Sequence, residues 1–304
     1  MKYDTIIIGG GPAGLTAGIY LSRAKMKVLI LDSGMAGGQM VLTHEIANYP
    51  GYESISGFML ATNMQNQAKK HGCDIKTNTR IDKYELEGDV KRVSLTNGDV
   101  FESRSVIIST GGRSREIGAI GEKDFSGRGI SYCATCDGDF FQGREIIVVG
   151  GGNSALEEAV SLTTYASKVT IVHMLDEWQA FDSAIKEMEA NPKIDYIMNT
   201  KITKFVGEQG LKSVILENVK TGATEERNIE GVFIFIGYVP NTEVFKDSIE
   251  LNKWGEIVTD DKFQTSLKGV YAAGDNIHKP FRQVTTAVGD GTNAALHTLE
   301  FLNS

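Results

Sequence analysis

The sequence predicts an α/β protein built from two Rossmann-like nucleotide-binding modules. Three observations carry this expectation. A strand, a glycine-rich turn, a helix and a second strand open the chain, and the same unit returns about 140 residues later. The chain of 304 residues is long enough for two domains, each burying its own core. The opening strand is a short apolar β-branched run, and Val106 to Gly112 reads as a buried strand ending in glycines.

The first module opens with the β-branched run Tyr3–Ile8, followed by Gly9-Gly10-Gly11-Pro12-Ala13-Gly14 and a helical pattern through Arg23. A second strand, Lys27–Leu31, ends at Asp32. This is the dinucleotide fingerprint in its required context of strand, turn, helix, strand and acid. Gly9 permits the tight turn, Gly11 lets the backbone approach a pyrophosphate, and Gly14 lets the helix pack on the sheet. Pro12 and Ala13 open a helix whose N-terminus carries partial positive charge. Asp32 is placed to accept from a ribose hydroxyl. Gly37-Gly38-Gln39 and His44–Gly51, with Asn48 inside it, are loop signals carrying amides suited to a flat polar ring; a plain surface turn accounts for them equally well. An amphipathic helix is expected over 58–71, and alternating strands over 75–101 with a hairpin at Asn97-Gly98. A buried strand from Val106 runs into Thr110, Gly111 and Gly112.

A charged connector over 113–129 leads to Ser-Tyr-Cys-Ala-Thr-Cys-Asp at 131–137. Cys133 and Cys136 are spaced for a reversible disulfide or for half of a metal site. Four-ligand zinc needs a second Cys or His pair, and the one further cysteine, Cys73, has only His71 near it, so no metal is expected. Asp137 puts a carboxyl group beside the second sulfur, where a dithiol needs a proton carrier. The second module follows: strand 146–149, the turn Gly150-Gly151-Gly152-Asn153-Ser154-Ala155, helix 155–166 and strand 168–173. Ala155 stands where the third glycine would be, which the fingerprint allows. This turn serves either a pyrophosphate or plain β–α packing. A helix at 182–190 and strands at 194–206, 213–218 and 225–236 complete the module, and Pro240 makes a hinge. The tail carries a strand ending in Gly274-Asp275, then Arg282-Gln283-Val284 and a helix over 285–302. Asp275 there either accepts from a ribityl or ribose hydroxyl or caps the helix.

A net charge of -8 argues against nucleic acid as a partner. Three cysteines cannot form a disulfide framework and fit a reducing cytosol. The chain opens directly on a strand, and no run reaches the ~18 apolar residues of a membrane span. A cytoplasmic protein is the expectation.

Taken together, Gly9-x-Gly11-x-x-Gly14, Gly37-Gly38-Gln39, Asn48-x-Pro50-Gly51, Cys133-Ala134-Thr135-Cys136-Asp137-Gly138, Gly150-x-Gly152-x-x-Ala155 and Ala273-Gly274-Asp275…Arg282-Gln283 resemble the low-molecular-weight flavoprotein thioredoxin reductases along nearly the whole chain. The resemblance implies a fold of two glutathione-reductase-type, three-layer domains, the second inserted in the first. A FAD domain would comprise 1–112 and 241–304, and an inserted pyridine-nucleotide-type domain carrying the dithiol would span 113–240. It implies a homodimer whose domains rotate on linkers near 112–116 and 238–242. It further implies that Cys136 lies nearer the flavin, Cys133 attacks thioredoxin, and Asp137 carries the proton. FAD would rest on Gly9, Gly11, Pro12, Ala13, Gly14, Asp32, Gly38, Gln39, Asn48, Thr110, Gly111, Gly274, Asp275, Arg282, Gln283 and Val284.

One departure concerns the electron donor. NADPH-dependent members carry His-Arg-Arg-x-x-x-Arg after the second strand of the inserted domain; this chain has His173-Met174-Leu175-Asp176-Glu177-Trp178-Gln179. Losing two charge-assisted bonds to a 2′-phosphate costs roughly 3–6 kcal/mol, or two to four decades of affinity. NADH prefers an acid where His173 and Met174 stand, so NAD(P)H fits poorly. Some members of the family take electrons from reduced ferredoxin or another carrier, and the resemblance admits that donor here. The competing readings are an NAD(P)H-dependent thioredoxin reductase with an atypical nucleotide site and a flavin-bearing regulatory module, which would have no need of a dithiol with an adjacent acid. Trp178 is placed either to cover the would-be nucleotide site or to pack on the domain face.

Overall fold

The opening strand β1 (Lys2–Ile8) turns Ile7 to one side of its sheet and Ile6 and Ile8 to the other, and all three are buried. A strand apolar on both faces needs cover on both, which makes the sheet the middle of three layers. In the computed structural model, which describes residues 2–43 and 45–304, the chain divides into two units: Met1–Arg113 with Val239–Ser304, and Ser114–Tyr238. The His44 end of the loop expected at 44–51 lies outside the described residues.

In the first unit β1 is followed by α1 (Pro12–Arg23), β2 (Val28–Leu31), α2 (Gly57–Lys70), β3 (Asp74–Lys76), β4 (Ile81–Glu85), β5 (Lys91–Leu95) and β6 (Val100–Ile108). The strands β3, β2, β1 and β6 pair in parallel in that order, and β5 and β4 continue the sheet as an antiparallel meander. The expectation of a strand starting at Val106 is corrected. One strand runs unbroken from Val100, its first residues pairing with β5 and its last ones elsewhere. The chain leaves the unit through β7 (Gly112–Ser114).

In the second unit α3 (Glu122–Phe125), β8 (Ile130–Ser131) and α4 (Ala134–Asp137) precede β9 (Glu145–Val149), α5 (Asn153–Leu162), β10 (Lys168–Val172) and α6 (Asp182–Glu189). Then come β11 (Ile194–Ile197), β12 (Thr200–Gly207), β13 (Leu211–Asn218), β14 (Thr224–Asn228) and β15 (Val232–Ile234). The sheet β11-β10-β9-β15-β8 is parallel throughout, and β12-β13-β14 form a separate antiparallel sheet. The single strands expected over 194–206 and 225–236 are therefore each two strands, one in either sheet. Asn199, with φ +52°, makes the first break, since few residues other than Asn hold a left-handed backbone. Ile146 and Val148 face α5 and α6, while Ile147 and Val149 face the antiparallel sheet through Val214 and Leu216.

The chain returns through β16 (Tyr238–Pro240), which pairs with β7. In the first unit, β17 (Val270–Ala272) then adds to β6 beside Val106–Ile108. The long helix α7 (Val284–Asn303) packs on α1, so close that a Cβ on Gly291 would lie 2.2 Å from the carbonyl oxygen of Ala13. Among the described residues no helix is long and apolar enough to cross a membrane, and no group of three or more His, Cys, Asp or Glu is placed to hold a metal.

Candidate active site

The residues 131–137 fold as one local device. Strand β8 ends at Ser131, and Cys133 is the extended residue from which the single turn α4 starts. The helical turn brings Cys133 and Cys136 within 5.3 Å of each other at Cα, and the two are joined by a disulfide. Asp137 N donates to Cys133 O at 3.2 Å, closing the turn. Ser131 Oγ donates to Asp137 Oδ2 at 2.6 Å and accepts from Cys133 N at 3.0 Å, so one hydroxyl ties the acid to the dithiol. Burial pushes the Asp137 carboxyl above the usual carboxylate range, partly offset by the Ser131 hydroxyl. Sequence reasoning did not single out Ser131, although a hydroxyl two residues before the first cysteine was the available signal. Below the turn, a Cβ on Gly138 would meet the Tyr165 ring at 2.9 Å, so the dithiol helix rests directly on α5 and its C-terminal extension. Tyr132 OH donates to the buried Glu122, whose carboxylate also receives Ile117 N and Gly118 N.

At the first glycine-rich turn, Gly9 has φ +103°, and a Cβ there would lie 2.3 Å from Ser109 O. Only glycine meets both conditions. Gly11 is the N-cap of α1 with no side-chain cap, and Pro12 opens the helix. The Ala13 and Gly14 amides thus have no carbonyl of their own helix to reach, which suits an anion. Gly11 faces Gly38, where a Cβ would come within 3.0 Å of Gly11 Cα. Asp32 holds the turn to the second strand: Oδ2 accepts from Gly10 N at 2.6 Å and Oδ1 from Gly34 N at 2.8 Å. Each oxygen keeps a lone pair for a ribose hydroxyl. Gln39 donates to Gly112 O, and Thr110 and Gly111 are clamped to Asn241 by Thr110 Oγ1 → Asn241 O at 2.7 Å and Asn241 N → Gly111 O at 2.9 Å. Asn48 Nδ2 donates to Gln283 Oε1 at 3.4 Å. Gln283 is the N-cap of α7 and shares a reciprocal capping box with Thr286, and Val284 is the first helical residue. Asp275 does not cap that helix. It pairs with Lys279 Nζ at 3.0 Å, and Lys279 in turn reaches Asp290 at 2.7 Å. Lys279 and Asp290 were not foreseen, because only the fold brings them to the Gly274-Asp275 strand end. The open backbone between Gly11 and Gly38, the uncapped helix and the anchored acid fit a bound FAD.

At the second turn Gly150 has φ +144° and sits 2.4 Å, at its would-be Cβ, from Phe235 O. The motif is intact, with Gly152 capping α5 and Asn153, Ser154 and Ala155 in its first turn. Its surroundings differ. His173 is buried directly under Gly151, where a Cβ would lie 2.2 Å from the ring. Its Nε2 is 3.1 Å from Glu177 O, and burial pushes its pKa down. Trp178 stacks on His173 at 5.5 Å and meets Tyr196 edge-on at 5.4 Å. Trp178 is therefore a packing residue of this unit, with aromatic contacts worth ~0.5–1.5 kcal/mol beyond burial. The segment continues across the turn: Gln179 N donates to Gly151 O at 2.8 Å and Phe181 N to Asn153 Oδ1 at 2.7 Å. Met174 and Leu175 are exposed. Of the lysines near the end of β10, Lys201 faces Glu217 (3.0 Å) and Lys220 faces Asp176 (2.8 Å), whereas Lys168 lies at the other end of β10 and pairs with Asp195 (2.6 Å).

Two Rossmann-like units and a cysteine pair in the second define a disulfide oxidoreductase built on nucleotide-binding domains. Comparison with known proteins agrees. The family model of pyridine nucleotide-disulphide oxidoreductases matches residues 3–291. A "34.2 kDa protein in rubredoxin operon" of Clostridium pasteurianum is 44% identical over 99% of this chain and 97% of its own length. A thioredoxin reductase of Peptoclostridium acidaminophilum is 42% identical over 99% and 98%. The crystal structure of thioredoxin reductase from Streptococcus pyogenes superposes with a TM-score of 0.95 at 42% identity, covering 99% of this chain and 98% of that one. The chain belongs to the pyridine nucleotide-disulphide oxidoreductase family, and is a FAD-binding oxidoreductase that acts on a disulfide.

Proposed function

We propose that this protein reduces the disulfide of a thioredoxin-like protein through Cys133 and Cys136, with electrons drawn from reduced ferredoxin or a similar low-potential carrier. The observation that carries the reading is the Cys133–Cys136 disulfide beside a carboxyl that burial holds toward its protonated form. The relatives named thioredoxin reductase supply the substrate class. In this reading the first unit is the FAD domain. Gly11, Pro12, Ala13 and Gly14 receive the pyrophosphate, Asp32 a ribose, and Gly38, Gln39, Asn48, Thr110, Gly111, Gly274, Asp275, Arg282, Gln283 and Val284 the remainder. When bound and reduced by the donor carrier, the flavin would supply the two electrons that open the Cys133–Cys136 disulfide.

The remaining steps belong to the chain. The Cys133 thiolate attacks one sulfur of the partner's disulfide, forming a mixed disulfide and releasing the other sulfur as thiolate. The Cys136 thiolate then attacks Cys133 Sγ, restoring the Cys133–Cys136 disulfide and releasing the second partner thiolate. Two protons complete the partner's dithiol, and Asp137, positioned by Ser131, donates one of them. For the donor, Met174, Leu175 and Gln179 offer no cation, Lys201 and Lys220 each already face a carboxylate, and Lys168 stands at the far end of β10. A 2′-phosphate there forgoes charge-assisted bonds of ~1.5–3 kcal/mol each. His173, buried and turned toward Glu177 O, cannot take the place of a ribose-binding acid.

The chemistry can be tested apart from the donor. Enzyme reduced anaerobically by light and mixed with oxidised thioredoxin should yield thioredoxin thiols with the wild type and none with Cys133→Ser. Thiol release by the Cys133→Ser protein would overturn the assignment.

A further inference from the structure

Glu256 is only 6% exposed, yet it carries a carboxylate that three side chains address at once. Arg282 Nη2 donates to Oε1, Asn252 Nδ2 donates to Oε2 at 2.7 Å, and His278 Nδ1 lies 2.7 Å from the same oxygen. Local structure explains how the acid gets there. Asn252 Oδ1 accepts from Trp254 N at 2.9 Å and Glu256 N at 3.0 Å, folding 252–256 into a tight turn with Gly255 at φ +80°. Ile257 then bridges to Leu251 and Ile277, which sets Glu256 beside His278. The Trp254 ring stacks on the exposed His278 ring at 5.8 Å and 8°.

Stability does not account for this arrangement. A buried ion pair is often replaced by apolar residues at no loss, so the chain gains little from closing a turn this way. What the arrangement does achieve is to fix Arg282, a long rotamer-rich side chain, immediately before Gln283, the N-cap of α7. We propose that Glu256 is a positioning residue for the flavin site: it holds the Arg282 guanidinium, and with it the Arg282-Gln283 entry of α7, in the pose that receives FAD. The inference rests on the reading that Arg282 and Gln283 contact the flavin. Glu256 itself need not touch it.

The test is a double-mutant cycle on FAD affinity, measured by titrating flavin-stripped protein with FAD. Glu256→Gln keeps the shape and removes the charge, so it should weaken FAD binding roughly tenfold to a hundredfold, the equivalent of one lost charge-assisted bond. In an Arg282→Met background the same substitution should change the affinity less than threefold, because the residue it acts through is gone. Unchanged affinity in Glu256→Gln, or equal losses in both backgrounds, overturns the proposal. If Glu256→Gln does not fold, Glu256→Asp keeps the charge but falls short of Arg282. It should release FAD faster than wild type with an unaltered thermal midpoint of the apoprotein, and an unaltered release rate overturns the proposal. Wild-type apoprotein that takes up no FAD would contradict the flavin reading itself, a separate outcome.

Discussion

At the first glycine-rich turn the following strand ends in Asp32, whose carboxylate reaches back to Gly10 N; at the second it ends in His173, whose ring fills the space under Gly151. The two turns have nearly the same backbone. Both carry a strongly positive φ at their first glycine, and both start a helix from a glycine N-cap without a side-chain cap. They differ in what the end of the second strand offers a ligand. Asp32 leaves lone pairs for a ribose, whereas the end of β10 offers no acid: His173 turns inward under Trp178, and the chain beyond it is tied to the turn by Gln179 N on Gly151 O and Phe181 N on Asn153 Oδ1. The glycines define a fold in both places; the strand end and its neighbours decide what the fold can bind.

The sharpest way to separate the turns is one substitution made in each. A Cβ on Gly11 would meet only Gly38 Cα at 3.9 Å, and one on Gly152 only Gln179 O at 3.7 Å, so both sites have room. Aspartate is also a favoured N-cap, so neither helix is weakened. It does set a carboxylate where a pyrophosphate would lie. Gly11→Asp should yield colourless protein that does not retain FAD on gel filtration. Gly152→Asp should stay yellow and keep carrier-driven turnover within about twofold of wild type. A large loss in Gly152→Asp would break the comparison.

The next effect sharpens the view that the second unit works through its dithiol. Asp137→Asn should slow turnover by about 10²–10⁴, as loss of a positioned proton carrier does. Its pH dependence has a defined sign. Burial raises the folded-state pKa of Asp137, so the folded protein holds this proton longer than the unfolded chain. Stability should therefore fall as pH rises from the ordinary aspartate value through the raised one. Thermal melts across that window should show the fall in wild type and a flatter profile in Asp137→Asn.

The smallest effect is expected at Cys73, the other cysteine. It is buried against Gly18 and its thiol is pushed up to about 12, so it supplies no thiolate at neutral pH. Cys73→Ser should leave steady-state turnover unchanged and cost about 1–2 kcal/mol in denaturant unfolding.

Local pattern made both turns, the Cys133-x-x-Cys136 pair and most helices legible, because their signals lie within a few consecutive residues. Long-range pairing was not legible. Nothing in 194–206 shows that Ile194–Ile197 and Thr200–Gly207 belong to different sheets, since both stretches alternate and only Asn199 marks the break. Trp178 could be assigned only once His173 was seen to turn inward beneath it. Glu256 reads as an ordinary surface acid until the bridge from Ile257 to Ile277 sets it beside His278.

The proposed donor is a low-potential protein carrier rather than a pyridine nucleotide. Anaerobic stopped-flow absorbance of the bound flavin, with NADPH, NADH and reduced ferredoxin in turn, tests it most directly. Reduced ferredoxin should bleach the flavin rapidly, and either nucleotide at physiological concentration slowly or not at all. Rapid bleaching by micromolar NADPH would overturn the proposal, and would mean that Lys201 or Lys220 leaves its carboxylate to hold the 2′-phosphate.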